Sequence, residues 1–308
     1  MTDPQPPQSV DLGLDQPNAA RMYDYYLGGS HNFAQDREAA QSLVRVAPGI
    51  ITAARGNRSF LHRAVCAAAA EGIDQFLDLG SGIPTVGNVH DIARGVNPEA
   101  RVVYVDCDPV AVTHARVLVA GDDRVGVVHA DLRDVAVVLE DPTTVGLLDF
   151  TRPVAVLMVA VLHFIAGDVT NVVARYRQIL APDSLLVLSH GTPDHPPAQR
   201  DAAATVAEVY TRTPTPVHLR TPTEITELFG DFDLLTPGLV PVDRWRPDPG
   251  IQPDPDLSGF LAGVARQRRP PRQPRPAGGN RAPQRVFPRE GGRRDVDRRV
   301  GSVSGNQS

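Results

Sequence analysis

The chain predicts an α/β fold, a mostly parallel sheet flanked by helices on both faces. Three observations carry the prediction. Between residues 74 and 189, five short apolar runs alternate with stretches of helical spacing. Those runs are apolar at consecutive positions, as strands buried on both faces are. A glycine-rich turn, Asp78-Leu79-Gly80-Ser81-Gly82, joins the first run to the helix after it. In open sheets of this kind, ligands bind outside the carboxyl ends of the strands.

Residues 1–17 are Pro-rich and polar and are expected to be disordered. Asn18 is placed to cap a helix beginning AARMYDYYL, which Gly28-Gly29 would stop. Residues 36–46 have helical spacing that ends at Pro48-Gly49, and residues 57–70 form a further helix with Gly72 beyond it. Residues 18–72 therefore make a helical cap.

The strands follow at residues 74–79, 101–105, 125–129, 153–161 and 185–189. Helices at 88–95, 109–119, 135–140 and 168–180 connect them. Two more helices, 199–210 and 223–229, precede strands at 232–236 and 257–264, read as an antiparallel hairpin at the sheet edge. This gives seven strands in one domain over residues 18–265. Residues 266–308 are rich in Arg, Pro and Gly and read as a disordered tail.

Composition narrows the function classes. No apolar run reaches the ~20 residues of a membrane span, and the polar, acidic N-terminus does not read as a secretion signal. Two cysteines, Cys66 and Cys107, provide no disulfide framework, so the expected compartment is the reducing cytoplasm. All 31 basic residues are arginine, a compositional mark of a GC-rich coding sequence. The formal charge of −5 is divided: residues 266–308 carry +9 and the remainder −14. An acidic body argues against a nucleic-acid face and suits a small-molecule enzyme. The tail is the one stretch whose arginines suit nucleic acid. The nine histidines show no metal spacing, and no metal is expected.

Chemistry gathers at the strand ends. Gly80 and Gly82 let backbone approach a ligand closely, and the following helix offers free N–H groups. A Gly-x-Gly turn alone is also consistent with an ordinary strand–helix junction. A nicotinamide fingerprint would place its third glycine where Thr85 stands, and Asp78 also departs from that pattern. Asp106 ends the second strand 24 residues after Gly82, near the roughly 20-residue spacing of a ribose-binding acid. Asp108 is placed to cap the next helix, with Pro109 at its first position. Asp131, after the third strand, can accept from an adenine amino group with Leu132 against the ring, or cap a helix. Together Asp78, Asp106 and Asp131 outline a nucleoside with a cationic tail and no phosphate, which fits S-adenosylmethionine (SAM) better than NAD.

These motifs resemble class I SAM-dependent methyltransferases. More narrowly, RMYDYYLGGSHNFAQD, FLDLGSGIPTVGN, VVYVDCDPVAVTHAR and PVAVLMVAVLHFI are similar to one methyltransferase-like family common in GC-rich actinobacteria, first catalogued as a domain of unknown function. The resemblance spans roughly residues 17–265. It implies a Rossmann-like methyltransferase fold and SAM as cofactor, and leaves the acceptor open. The tail departs from it.

The resemblance also implies that the helical cap covers the SAM pocket. Tyr23 is then a lid residue with Gly28-Gly29 as hinge; the alternative is an ordinary core contact. Arg21 and Arg58 are candidates to pair with the SAM carboxylate, since guanidinium grips carboxylate bidentately. The loop after the fourth strand carries His163, a candidate base or a structural histidine, and lacks the Asn/Asp-Pro-Pro-aromatic pattern of amino-group DNA methylation. His31 and His190 are weaker candidates. The leading reading is a SAM-dependent methyltransferase acting on a small molecule. The alternatives are an inactive SAM-binding sensor or partner module and an NAD-dependent oxidoreductase.

Overall fold

The computed structural model describes residues 14–84, 87–195, 200–211, 215–254 and 259–269. The cap comes first. In α1 (Ala19–Tyr26), Asn18 Oδ1 accepts the Ala20 and Arg21 N–H groups, as its side chain predicts. Gly28, at φ 80°, ends the helix. At Gly29 a Cβ would collide with the Asp24 carboxylate, so the chain turns back through the one residue that fits. Next come α2 (Ala34–Val46) and α3 (Gly49–Ala70). Pro48 ends one helix and starts the next; the stretch expected to separate them is the first two turns of α3. The far half of α3, from Phe60 to Ala69, packs on the sheet, so α3 bridges cap and sheet rather than belonging to the cap alone.

Alternation then follows the sequence reading closely. β1 (Gln75–Leu79), α4 (Val89–Val96), β2 (Arg101–Asp106), α5 (Pro109–Leu118), β3 (Val125–His129), α6 (Val135–Glu140), α7 (Pro142–Leu147), β4 (Ala155–Val159), a 3-10 turn at Leu162–Phe164, α8 (Val169–Gln178) and β5 (Leu185–Gly191) come in order. The sequence reading lacked α7, a six-residue helix started by Asp141 and Pro142. Asp108 caps α5 as expected, accepting the Val110 N–H at 2.9 Å.

The chain ends with α9 (Arg200–Thr211), α10 (Pro222–Leu228), β6 (Asp233–Leu234), β7 (Val240–Pro241) and β8 (Phe260–Arg266). Among the described residues the sheet has eight strands, not seven, in the order β3-β2-β1-β4-β5-β8-β6, with β7 also pairing β8. The strand missed, β7, is two residues long and includes a proline, which leaves no periodicity to read. β1 to β5 are parallel, and β8 runs antiparallel beside β5, β6 and β7. β8 extends to Arg266, two residues past the expected strand end and one past the expected domain boundary. The expected disordered tail begins later than residue 266: Arg266 closes β8, and Arg268 and Arg269 pair with Asp233 and Asp183; residues 270–308 lie outside the described residues.

The sheet is sealed on both faces. Phe76, Tyr104, Leu157 and Val187 face α3, α4 and α5. Leu77, Val103, Val156 and Leu186 face α6, α8 and α10. Neighbouring residues of one strand thus enter opposite cores, which is why the strands read as unbroken apolar runs. The cap has its own cluster, with Met22, Tyr26, Leu43 and Tyr210 of α9 at its centre. No helix among the described residues is long and apolar enough to cross a membrane.

Candidate functional site

One cavity of about 420 Å³ opens at the carboxyl ends of β1 to β4, a size within the range of small-molecule sites. Strand ends build its floor because the twisted sheet parts there and turns must cross the gap. Asp78, Gly80, Ser81, Gly82, Asp106, Asp131, Leu132, Tyr23 and Arg58 all line it. The structure thus brings together residues that the sequence spreads over more than a hundred positions.

The glycine turn is held by β2. Val105 carbonyl accepts the N–H groups of Gly80 at 2.8 Å and Ser81 at 3.1 Å, and Asp106 Oδ2 accepts the Gly82 N–H at 2.7 Å. Gly80 sits at φ 73° with its Cα against Val161, so any Cβ would collide with Val161 Cγ2. Backbone is therefore bare at the cavity floor. Thr85, which stands at the third glycine position of the nicotinamide pattern, lies outside the described residues.

The acids differ in their electrostatics. Asp78 is buried, and no hydrogen bond from a described residue reaches its carboxylate. Burial pushes its pKa up to about 7, with the Arg58 guanidinium opposing and the Asp106 charge adding to the rise. Asp106 is also raised by desolvation, against the lowering effect of the N–H groups of Asp108 and Gly82. Asp131 is lowered, chiefly by its bidentate pairing with Arg133 at 2.5–3.0 Å. Arg58 anchors the loop after the turn by donating to the Gly87 carbonyl at 2.8 Å.

The cap forms the opposite wall. Tyr23 donates its hydroxyl hydrogen to the Ala54 carbonyl at 2.9 Å and accepts from Asn57 Nδ2 at 2.9 Å. Asn57 Oδ1 accepts from Ser189 Oγ at 2.5 Å, and Ser189 Oγ accepts from the Ala160 N–H at 2.9 Å. A polar chain thus runs from the cap through α3 and β5 to the loop after β4. Asn57 was not singled out from sequence, where it reads only as a helix-start residue. Phe164, Thr215, Pro216 and His218 complete this wall. Phe164 lay inside a quoted motif, whereas residues 215–218 carried no sequence signal.

Two candidates stand elsewhere. Arg21 does not line the cavity. It is 2% exposed, pairs with Asp36 at 3.1 Å and donates to the Gln16 carbonyl at 2.7 Å, so its guanidinium ties α1 to α2. His163 is 4% exposed and lies behind the lining, against Phe164, His190 and Phe260. Its Nδ1 accepts the Gly191 N–H at 3.4 Å, and burial lowers its pKa well below the usual imidazole range. It is a core histidine. The weaker candidates are occupied too: His31 packs on His114, and His190 bonds Gly191 and Arg220. No cluster of three metal-ligating side chains occurs among the described residues.

The lining fits a cationic nucleoside. Asp24, Asp78, Asp106, Asp108 and Asp131 face it against Arg58 and Arg133. The unbonded Asp78 carboxylate is an acceptor awaiting a donor. Fold and cavity together define a class I methyltransferase type of α/β protein.

The chain belongs to the S-adenosyl methyltransferase family, which it matches over residues 5–268. It is 41% identical to a candidate methyltransferase from Thermobifida fusca, covering 85% of this chain and 100% of that one, with a TM-score of 0.79. It is 38% identical to a DUF574 family protein from Streptomyces avermitilis, covering 83% and 100%, with a TM-score of 0.78. No curated protein matches it. The chain is a SAM-dependent methyltransferase, and SAM is its cofactor. Family membership displaces the nicotinamide reading.

Proposed function

We propose that the enzyme methylates a small molecule held in the same cavity as the cofactor. One observation carries this reading: the acid-lined strand ends and the wall of Tyr23, Phe164 and His218 enclose a single space of about 420 Å³. A ligand of that size is covered by the cap, whereas a polymer chain needs an open groove. The acidic body favours the same class of acceptor, and the cysteine content favours a cytoplasmic setting.

Bound there, the cofactor supplies an electrophilic sulfonium methyl whose leaving group is a neutral thioether. Asp106 would accept from ribose hydroxyls and Asp131 from the adenine amino group, with Leu132 against the base. Asp78 would hold the cationic part, and Arg58 would pair with the carboxylate. The turn, without side chains at Gly80 and Gly82, would let the ligand lie close to its backbone. The cap excludes water and holds the acceptor in line, which supplies much of the rate in a displacement of this kind.

Incubation with methyl-labelled SAM and a cell extract, followed by separation of small molecules from polymers, tests the proposal. Label in a discrete small-molecule product is expected. Label only in protein or nucleic acid would overturn it.

A further inference from the structure

The acceptor side of the cavity is closed by residues 215–221, between α9 and α10, and this segment is firmly held. The His218 N–H donates to the His163 carbonyl at 2.7 Å, and the Arg220 N–H to the Gly191 carbonyl at 3.3 Å. The Arg220 guanidinium donates to the carbonyls of Leu162 at 3.1 Å and Ile165 at 3.3 Å, and to His190 Nε2 at 2.8 Å. His190 can accept because its Nδ1–H is committed to the Gly191 carbonyl at 2.7 Å, which fixes the neutral tautomer. One arginine thus locks the segment to β5 and to the loop after β4.

This scaffold brings Thr215, Pro216 and His218 to the cavity lining, and His218 is the one among them with an imidazole. No hydrogen bond from a described residue reaches either ring nitrogen, and Nε2 is sealed from solvent. Buried polar atoms are nearly always paired, so an unpaired ring nitrogen on a lining residue calls for a functional account. Tyr23 and Asn57 are engaged in their chain to Ser189, and the unpaired lining oxygens, Asp24 Oδ1 and Asp108 Oδ2, belong to carboxyl groups on the cap and the cofactor wall. Asp78 sits on the cofactor wall under the influence of Arg58.

We infer that His218 is the general base of the transfer and that the acceptor is a hydroxyl compound. The inference rests on the reading that cofactor and acceptor share this cavity. As the acceptor oxygen forms its bond to the methyl carbon, the carbon–sulfur pair remains with sulfur. The hydroxyl proton passes to His218 through Nδ1, the ring nitrogen that is not sealed, and from there to solvent. An amine suits the site less well. The surplus of carboxylates favours its protonated form, which has no free pair, whereas a hydroxyl enters neutral and must lose a proton during transfer.

Two measurements test this. Diethyl pyrocarbonate treatment with peptide mass mapping should modify His218 in the free protein and spare it when S-adenosylhomocysteine is present. The buried His163 and His190 serve as unmodified controls. His218→Gln should lose turnover of the extract-derived acceptor by about 100-fold or more and keep S-adenosylhomocysteine affinity within about threefold. An unmodified His218, modification indifferent to S-adenosylhomocysteine, retained turnover, or affinity falling in step with turnover overturns the assignment. If the extract yields no small-molecule product, the acceptor reading fails, and the modification result alone decides whether His218 faces the cofactor cavity.

Discussion

The Gly82 N–H donates to Asp106 Oδ2 at 2.7 Å, which joins the glycine turn after β1 to the acid that ends β2. The same carboxylate accepts the Asp108 N–H through Oδ1 at 2.9 Å. One side chain therefore shapes two loops and still offers lone pairs to the cavity. Asp106→Ala should weaken SAM binding more than tenfold while leaving a cooperative thermal transition, because the loops it releases are at the surface of the sheet and not in its cores. Calorimetric titration beside a melting curve checks both halves. Unchanged affinity sinks the ribose assignment.

Asp78, if it meets the cationic part of the cofactor, should make binding depend on pH. Its carboxyl is protonated in the free protein below about 7, and a cationic ligand favours the ionised form. Binding should therefore release a proton below that pH, and affinity should rise as pH increases through it, then level off. Titration calorimetry in buffers of different ionisation enthalpy measures the proton count. Zero release at pH 6 excludes contact between Asp78 and the cation.

The same group opposes folding when it ionises. Its folded pKa lies above the unfolded value of 3.8, so the native state holds a proton that the unfolded chain has released. Ligand-free stability should accordingly fall as pH rises from about 3.8 to about 7. Asp78→Asn should stabilise the ligand-free protein at pH 8 by up to about 4 kcal/mol, should have little effect at pH 4, and should weaken SAM binding. Urea melts at the two pH values give the answer; a destabilised variant at pH 8 contradicts it.

Gly80→Ala should destabilise by about 2–4 kcal/mol, since it combines a positive φ with a collision against Val161. Adding Val161→Ala should recover part of the loss, because it removes the collision and leaves the backbone strain. Full recovery, or none, would show that one of the two causes is absent.

Arg21 is a structural residue in this account. Arg21→Ala leaves Asp36 buried without its partner and should cost about 3–5 kcal/mol. At a temperature where the variant is still folded, its S-adenosylhomocysteine affinity should stay within about threefold of wild type. A selective loss of affinity restores Arg21 to the cofactor site.

How much of this was legible depended on the range of each signal. Asn18, Asp108 with Pro109, and the runs 101–105 and 125–129 gave their elements almost to the residue, because caps and doubly buried strands are local features. The three acids at successive strand ends were legible as a constellation because a parallel sheet places such ends on one edge. Arg21 was placed at the cofactor and His163 was left between base and structural residue for a common reason. Their partners, Asp36 for one and Gly191 with the His190 ring for the other, are fixed by packing between elements, which residue type does not encode. His218 was invisible for the complementary reason, since only the anchoring of Arg220 to His190, Leu162 and Ile165 brings its loop over the cavity. The strand β7 and the helix α7 are too short for periodicity to register.

A crystal structure of the protein with S-adenosylhomocysteine tests the central claim most directly. The account predicts the ligand in the cavity at the carboxyl ends of β1 to β4, its ribose hydroxyls on Asp106 and its adenine over Leu132. Ligand seated elsewhere, or seated there with the ribose away from Asp106, would contradict it.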